Sequence, residues 1–535
     1  MGKCCRNPQQ VQISLLNLFS ARNTPRWWTV EFNMRDASSW TYNAVLANLR
    51  VRLNGLDILL QRWYIERGDV IMKAKTTILL LLAFAVVLIV LSGAVLGQDQ
   101  PADKGTAWTG TTEQKIWGLM TVWSEAKYNF PFFDQRPGLN WDEKVREYLP
   151  RVIAAPDMDS YYDVLCEFAA LLKDGHTAVN RPGGPFNPAL DWPPLEVQVV
   201  DGKYIVARFE ETAELKRNKI HRGLEVVEIE GVPVDSYYRD RVVRYESRGT
   251  RQADQAINIY KLLMGPKGSE VKLKVRDLDG REWTAVLNRN SATNAGRRFF
   301  TRLFEWYMNE SAPVETRMMM KDGIVYIKIA NFDSEQVVKE FMKTFDSVAW
   351  PAVKGVMLDI RYNPGGDDTF AFPVIGCFFD APVKSFLWKS PKYVPAKASW
   401  GFEPEWEQGS IGPEFIQPRQ GFRYLGPLVI LTGPTTYSTA EDFLIPFDYS
   451  KRAVLVGETT AGSTGNPRRV PLPGGGNFRV VTLRALYPDG REWVGAGIKP
   501  GVEIHPTQQD IFKGNDAVLN KGLEVLKNWE KYHVQ

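Results

Sequence analysis

The chain has 535 residues, 44% of them hydrophobic and 24% charged, within the range of ordinary globular proteins. That composition excludes a largely disordered chain, a collagen, a coiled coil and a polytopic membrane protein, and with no basic tract in the chain nucleic acid is not an expected partner. Residues 1–97 hold 11 of the 66 Lys and Arg and 5 of the 62 Asp and Glu, so the remaining 55 and 57 give residues 98–535 a net charge of −2.

Residues 1–71 match no domain pattern and read as a mistaken extension upstream of a true start at Met72. Residues 72–97 then form a signal peptide: Lys73 and Lys75 precede an apolar run from Ile78 to Leu91, and Val95 and Gly97 suit cleavage before Gln98. Kept from Met1, the same run becomes a single membrane anchor of about 20 residues. Either way residues 98–535 are expected outside the cytoplasm, in the periplasm or extracellular, and the membrane is met only through 72–97 if it stays uncleaved.

Residues 105–190 read as a helical domain. Thr111 and Gln114 fit a capping box, with Ile116, Leu119, Met120 and Trp123 as the apolar stripe behind it. Helices follow at 141–149 and from about Ser160 to Lys173, the last capped at Gly175 and leading straight into His176. Residues 193–290 change to short alternating runs broken by Gly and Asp-Gly turns, a small β domain. Residues 291–322 form a connector whose RRFFTRLFEWYM is expected to be a docking helix. From 323 to 510 buried-strand runs such as GVMLDIRY, LVILTG and AVLVGE alternate with helices, an α/β core, and 511–535 form a C-terminal helix.

Three segments could carry chemistry. VMLDIRYNPGG ends a strand in a turn whose Gly365 and Gly366 amides can face an oxyanion. In LVILTGPTTYSTAEDF a strand ends at Gly433 and a helix begins near Thr439, which leaves Ser438 at the junction as either an N-cap or a nucleophile, with the Thr439 amide beside it. Pro446 is expected to end or kink that helix. The third segment is Asp174-Gly175-His176-Thr177. Of the four histidines His176 is the best placed: His221 lies in the β domain, His505 near the end of the core and His533 at a fraying terminus. With no H-x-x-x-H pair and no C-x-x-C among Cys4, Cys5, Cys166 and Cys377, neither a metal nor another cofactor is expected. Cys166 and Cys377 read as buried thiols, a disulfide between them being left open.

Taken together, LDIRYNPGG, TYSTAEDF, VGETTAG and GAGIKP, with DGHT ahead of them, resemble the tail-specific and tricorn-type serine peptidases over most of residues 105–510. The resemblance implies a crotonase-like α/β core with an N-terminal helical domain and an inserted PDZ-like domain at 193–290, whose strand edge and helix would hold an extended peptide. It implies an endopeptidase working through an acyl-enzyme. The Ser–Lys version of the family has a lysine in G-K-G after its GE-x-T motif; here GETTAGSTGNP puts Ser463 at that position. The tricorn-like version uses serine, histidine and glutamate, which implies Ser438 as nucleophile and His176 as base, with the Gly365, Gly366 and Thr439 amides as oxyanion donors. Its acidic residue precedes G-x-G-[IV]-x-P. Val494 stands directly before the glycine here, so Glu492 is the expected third member and Asp489 the alternative; Glu441 and Glu458 also lie in motifs, Glu441 being read as a helix N-terminal charge. Tyr362, Phe370 and Phe372 are the candidates to line a specificity pocket. The expected partner is a polypeptide, held by its C-terminus in the PDZ-like groove, with the oligomeric state open. A catalytically inactive binding protein on the same scaffold is the alternative, and a cell-envelope interaction protein a third reading.

Overall fold

The computed structural model describes residues 10–17, 26–35, 45–53, 56–65, 108–183, 189–290, 314–319, 322–409 and 412–533. The segment 72–97 and the docking helix expected at RRFFTRLFEWYM lie outside them. The chain divides into two compact units, Met1–Pro101 and Ala102–Gln535. In the first, strands Gln10–Asn17, Arg26–Arg35, Val45–Leu53 and Leu56–Ile65 pair antiparallel in chain order.

The second unit is mixed α/β. It begins with three helices: α1 (Thr112–Asn129), α2 (Trp141–Ala154) and α3 (Met158–Ala170). Thr111, Asn140 and Asp157 cap them through their side chains. The α1 box is half made: Thr111 accepts from the Gln114 amide, but Gln114 Oε1 accepts from Thr109 N–H rather than from Thr111. The buried face of α1 is Leu119, Val122 and Ala126, rotated from the expected stripe. Gly175 does not cap α3. Lys173 takes the left-handed turn at φ 48°, and Gly175 is needed for closeness, since a Cβ there would lie 2.7 Å from Ser463 Oγ and 2.9 Å from Tyr437 Oη.

Residues 195–288 form an antiparallel sheet with its own core, from Leu195, Val206 and Leu224 to Leu273 and Leu287. Its strands are β1 (Leu195–Val200), β2 (Lys203–Phe209), β3 (Glu225–Ile229), β4 (Glu270–Arg276) and β5 (Glu282–Asn288), in spatial order β5-β4-β3-β2-β1. A short helix, α4 (Arg251–Ile257), packs against the edge strand β1.

The main sheet is built from β6 (Val314–Met319), β7 (Ile324–Ile329), β8 (Gly355–Asp359), β9 (Leu428–Thr432), β10 (Val454–Gly457) and β11 (Val502–Glu503), in that order, parallel except for the β6–β7 pair. Every residue of β8 and β9 is buried, as a parallel sheet covered on both faces requires. Val356, Leu358, Leu428 and Ile430 face the side packed by α5 (Glu335–Ser347), α6 (Asp368–Ile375) and α7 (Thr439–Tyr449). Met357, Val429 and Leu431 face α8 (Ala517–Lys527). Of the two outcomes expected at Pro446, α7 does not end there but runs three residues past it. Cys166 and Cys377 are buried free thiols. No described helix is long and apolar enough to cross a membrane.

Candidate active site

The turns after β8 and β9 leave the same end of two neighbouring parallel strands, the place where open α/β sheets hold ligands. Asn363 ties the two together. Its carbonyl accepts from Tyr437 N–H at 3.0 Å, and its side-chain amide donates to Ile329 O at 3.1 Å. Gly365 must be glycine: with φ 97°, a Cβ would lie 2.7 Å from Ser438 Cβ, Thr439 N and Tyr437 O. Gly366, at φ 145°, would collide with the Phe332 backbone at 2.3 Å. The turn thus presses directly onto the residue that opens α7.

That residue is Ser438. It stands at φ 57°, ψ −132°, outside the regions an L-residue prefers, and its hydroxyl caps no amide of α7. The N-cap reading therefore fails, and the side chain is free to face the cavity. His176 Nε2 lies 3.0 Å from Ser438 Oγ. The histidine arrives from the loop after α3, held by its own amide donating to Asp174 Oδ1 at 2.9 Å and by the strand Ala178–Asn180 pairing with Asn477–Val480. Burial, together with the charges of Arg479, Arg248 and Arg469, holds its pKa well below the ordinary value. The imidazole is neutral near pH 7 and able to accept a proton.

Among the described residues the other ring nitrogen meets no carboxylate. Nδ1 lies 2.8 Å from Ser463 Oγ and 2.9 Å from Tyr437 Oη, and the Tyr437 ring stacks on the imidazole at 4.6 Å and 2°. Nε2 can accept from Ser438 only if Nδ1 carries the proton, so Nδ1–H donates to one of these hydroxyls. Glu492, expected here, is elsewhere. Its carboxylate accepts from Gln135 Nε2 at 2.9 Å and pairs with Lys389 at 3.2 Å and Arg484 at 3.3 Å. Asp489 is bound to Arg491 at the surface. Neither carboxylate is brought to His176, because the turn carrying them is drawn to the cations of Lys389, Arg484 and Arg491.

The carboxyl group beneath the site is Glu441, on the third residue of α7. It is fully buried and accepts from Thr460 Oγ1 at 2.5 Å and from the Gly462 and Ser463 amides at 2.8 Å each. Burial pushes its pKa to about 7 against those bonds. By holding the 460–463 loop it fixes Ser463, whose carbonyl also accepts from Ser438 N–H at 3.0 Å. The helix α4 reaches the same loop: Thr250 Oγ1 donates to Ala461 O, and Gln252 to Thr460 O and Ala496 O. Sequence reasoning gave Glu441 only a helix-terminal role and missed Ser463 and Tyr437 as partners of His176. The signal available was Ser463's place in the motif, where the Ser–Lys version aims its lysine at the nucleophile.

Of the three expected oxyanion donors, the Gly365 amide is engaged, donating to Asn363 Oδ1 at 2.9 Å. The Gly366 and Thr439 amides meet no acceptor among the described residues, Thr439 opening its helix with no carbonyl behind it. Both residues line the cavity in front of Ser438, which has a volume of about 1390 Å³. Tyr362 lines it too; Phe370 and Phe372 do not. The arrangement can move a proton from Ser438 to His176 and offer two N–H groups to a developing oxyanion.

Residues 323–504 match the model of Peptidase family S41, so the chain carries a domain of that family. Over 262 residues the chain is 27% identical to the carboxy-terminal processing protease CtpA of Bacillus subtilis (strain 168), covering 48% of this chain and 50% of the relative. It is 22% identical over 296 residues to CtpB of the same organism, covering 54% and 56%. The chain spans about half the length of the curated relatives it matches. The crystal structure of mature CPAF superposes with a TM-score of 0.62 at 16% identity, covering 79% of this chain and 99% of that one, which is likeness of fold.

Proposed function

We propose that this chain, which carries a peptidase family S41 domain, is a serine endopeptidase that opens peptide bonds through an acyl-enzyme on Ser438. The observation that carries the reading is Ser438 Oγ at 3.0 Å from a neutral His176 Nε2, on a backbone that makes no other use of the hydroxyl. Ser438 Oγ attacks the scissile carbonyl while its proton passes to Nε2. The Gly366 and Thr439 amides receive the oxyanion. The C–N bond then breaks, the departing amine takes the proton from Nε2, and a water deprotonated by the same nitrogen releases the acyl group. Ser463 and Tyr437 hold Nδ1–H and so keep the required tautomer. The hydroxyl dipoles of Ser463 and Tyr437 at Nδ1 stabilise the transient imidazolium.

Residues 193–290 are the proposed PDZ-like module that engages the substrate chain. Edge strand β1 with α4 packed beside it offers the strand edge and helix that an extended peptide would use. The core as crotonase-like, the helical domain at 105–190 and export directed by residues 72–97 belong to the same proposal.

Covalent labelling of the full chain with a fluorophosphonate, read by intact mass, tests it. A single adduct on the wild type, absent from Ser438→Ala and suppressed in His176→Ala, is expected. A folded chain that takes no adduct overturns the peptidase reading in favour of a binding protein on the same scaffold.

A further inference from the structure

The cavity is lined by charges of both signs. Near His176 it is lined by Arg248, Arg469 and Arg479, with Arg248 paired to Glu246. On the side of the oxyanion turn it is lined by Asp333, Asp368 and Asp442. Among the described residues no Lys or Arg acts on any of these three aspartates. Asp442 stands four residues after Ser438, in the first turn of α7, and both residues line the cavity. Asp368 opens α6, two residues after Gly366. Asp442 is only 6% exposed and accepts from Thr464 Oγ1 at 2.7 Å through Oδ2, whereas its Oδ1 and Asp368 Oδ1 are buried with no donor among the described residues. The two carboxyls act on each other, and burial with mutual repulsion holds Asp442 well above the usual carboxylate range.

Buried carboxylate oxygens are ordinarily satisfied, and a pair without donors costs stability unless something fills the gap. In the free protein a proton can sit between them. A cation in the cavity would do so better, donating to both oxygens and neutralising the repulsion. Phe386 and Leu483 line the same cavity and suit the methylene stem of a long side chain. The leaving amine must depart on the side of His176, which returns its proton. The residue whose carbonyl is attacked therefore projects to the other side, past the oxyanion turn.

The geometry points to Asp368 and Asp442 as the floor of the pocket for the residue on the acyl side of the cleaved bond, selecting lysine or arginine there. This rests on the peptidase reading above and replaces the aromatic pocket expected from Tyr362, Phe370 and Phe372.

The test separates the pocket from the chemistry. An N-acetylated, C-amidated hexapeptide with one lysine, and its norleucine counterpart, are titrated by calorimetry into the full chain carrying Ser438→Ala. The lysine peptide is expected to bind about 10-fold tighter or more, with the difference erased by Asp442→Asn or, independently, by Asp368→Asn. Asp442→Asn keeps an acceptor for Thr464, so its fold is retained, and the comparison of the two peptides stands without either variant. Equal affinities overturn the pocket. Fluorophosphonate labelling of the wild type reports separately: a chain that labels yet binds both peptides alike keeps the peptidase reading and loses the pocket. A chain that prefers lysine without labelling keeps the cation site and loses the peptidase.

Discussion

Glu441 and Asp442 are consecutive residues of α7, both buried, and their carboxyl groups meet opposite surroundings. Glu441 turns under the site, where three donors from the 460–463 loop converge on it. Asp442 turns to the cavity, where one oxygen has Thr464 and the other has no donor. A buried carboxyl whose donors come from the fold is a fastener. One whose donors are missing on the side facing a cavity leaves room for a ligand. Ser438 precedes both at the head of the same helix, so one element fixes the base-orienting loop with one residue and shapes the substrate side with the next.

Removing the fastener should give the largest effect. Glu441→Ala leaves two amides and a hydroxyl buried without an acceptor, each costing about 1–3 kcal/mol, and urea unfolding should show a loss of about 3–9 kcal/mol together with collapse of turnover. A loss under 1 kcal/mol would mean that the 460–463 loop keeps its place without Glu441. Next in size is a pH effect. The carboxyl of Glu441 is raised from 4.5 to about 7 in the fold. Its contribution to stability is therefore full below about pH 4.5 and is lost as pH rises through 7, a change of about 3 kcal/mol. Glu441→Gln does not titrate, so its stability deficit against the wild type should be larger at pH 5 than at pH 8. A deficit that stays constant would contradict the raised pKa.

Smaller still is the expected effect at the far side of the loop. Ser463→Ala removes one of two hydroxyls on His176 Nδ1, and kcat should fall about 10-fold with KM unchanged. Unaltered kcat there, with a fall in Tyr437→Phe, would assign the orienting bond to Tyr437 alone. Glu492→Gln should change turnover least. Its carboxylate serves Gln135, Lys389 and Arg484, so a large loss of kcat with stability intact would restore it to the catalytic group.

The difference between these residues also explains what could be read from the amino-acid sequence. Ser438 and His176 were legible because each stands at the end of a periodic element, a strand-to-helix junction and a loop after a packed helix. The third position was not legible, since it depends on a loop 25 residues beyond the serine folding back onto its own helix. Two partners of His176, Tyr437 and Ser463, are hydroxyls, which no titration pattern or charge spacing marks. Glu492 attracted attention as a carboxylate in a motif, but the groups that claim it, the Gln135 amide and the cations of Lys389 and Arg484, come from segments far apart in the chain. Likewise Pro446 suggested a break in α7. The helix passes it because Leu444, Ile445 and Phe447 are buried around it in the core, and that packing outweighs one lost backbone bond.

The left-handed backbone of Ser438, at φ 57°, has a consequence for the balance between endurance and activity. A serine held there is strained by about 1–3 kcal/mol, whereas glycine accepts such angles freely. Ser438→Gly should therefore melt at a higher temperature than the wild type while taking no fluorophosphonate, and a lower melting temperature would show that the hydroxyl's contacts outweigh the strain. On this account a lineage released from the need to cleave would drift toward glycine at this one position, and a homologue with glycine there would mark a scaffold kept for binding.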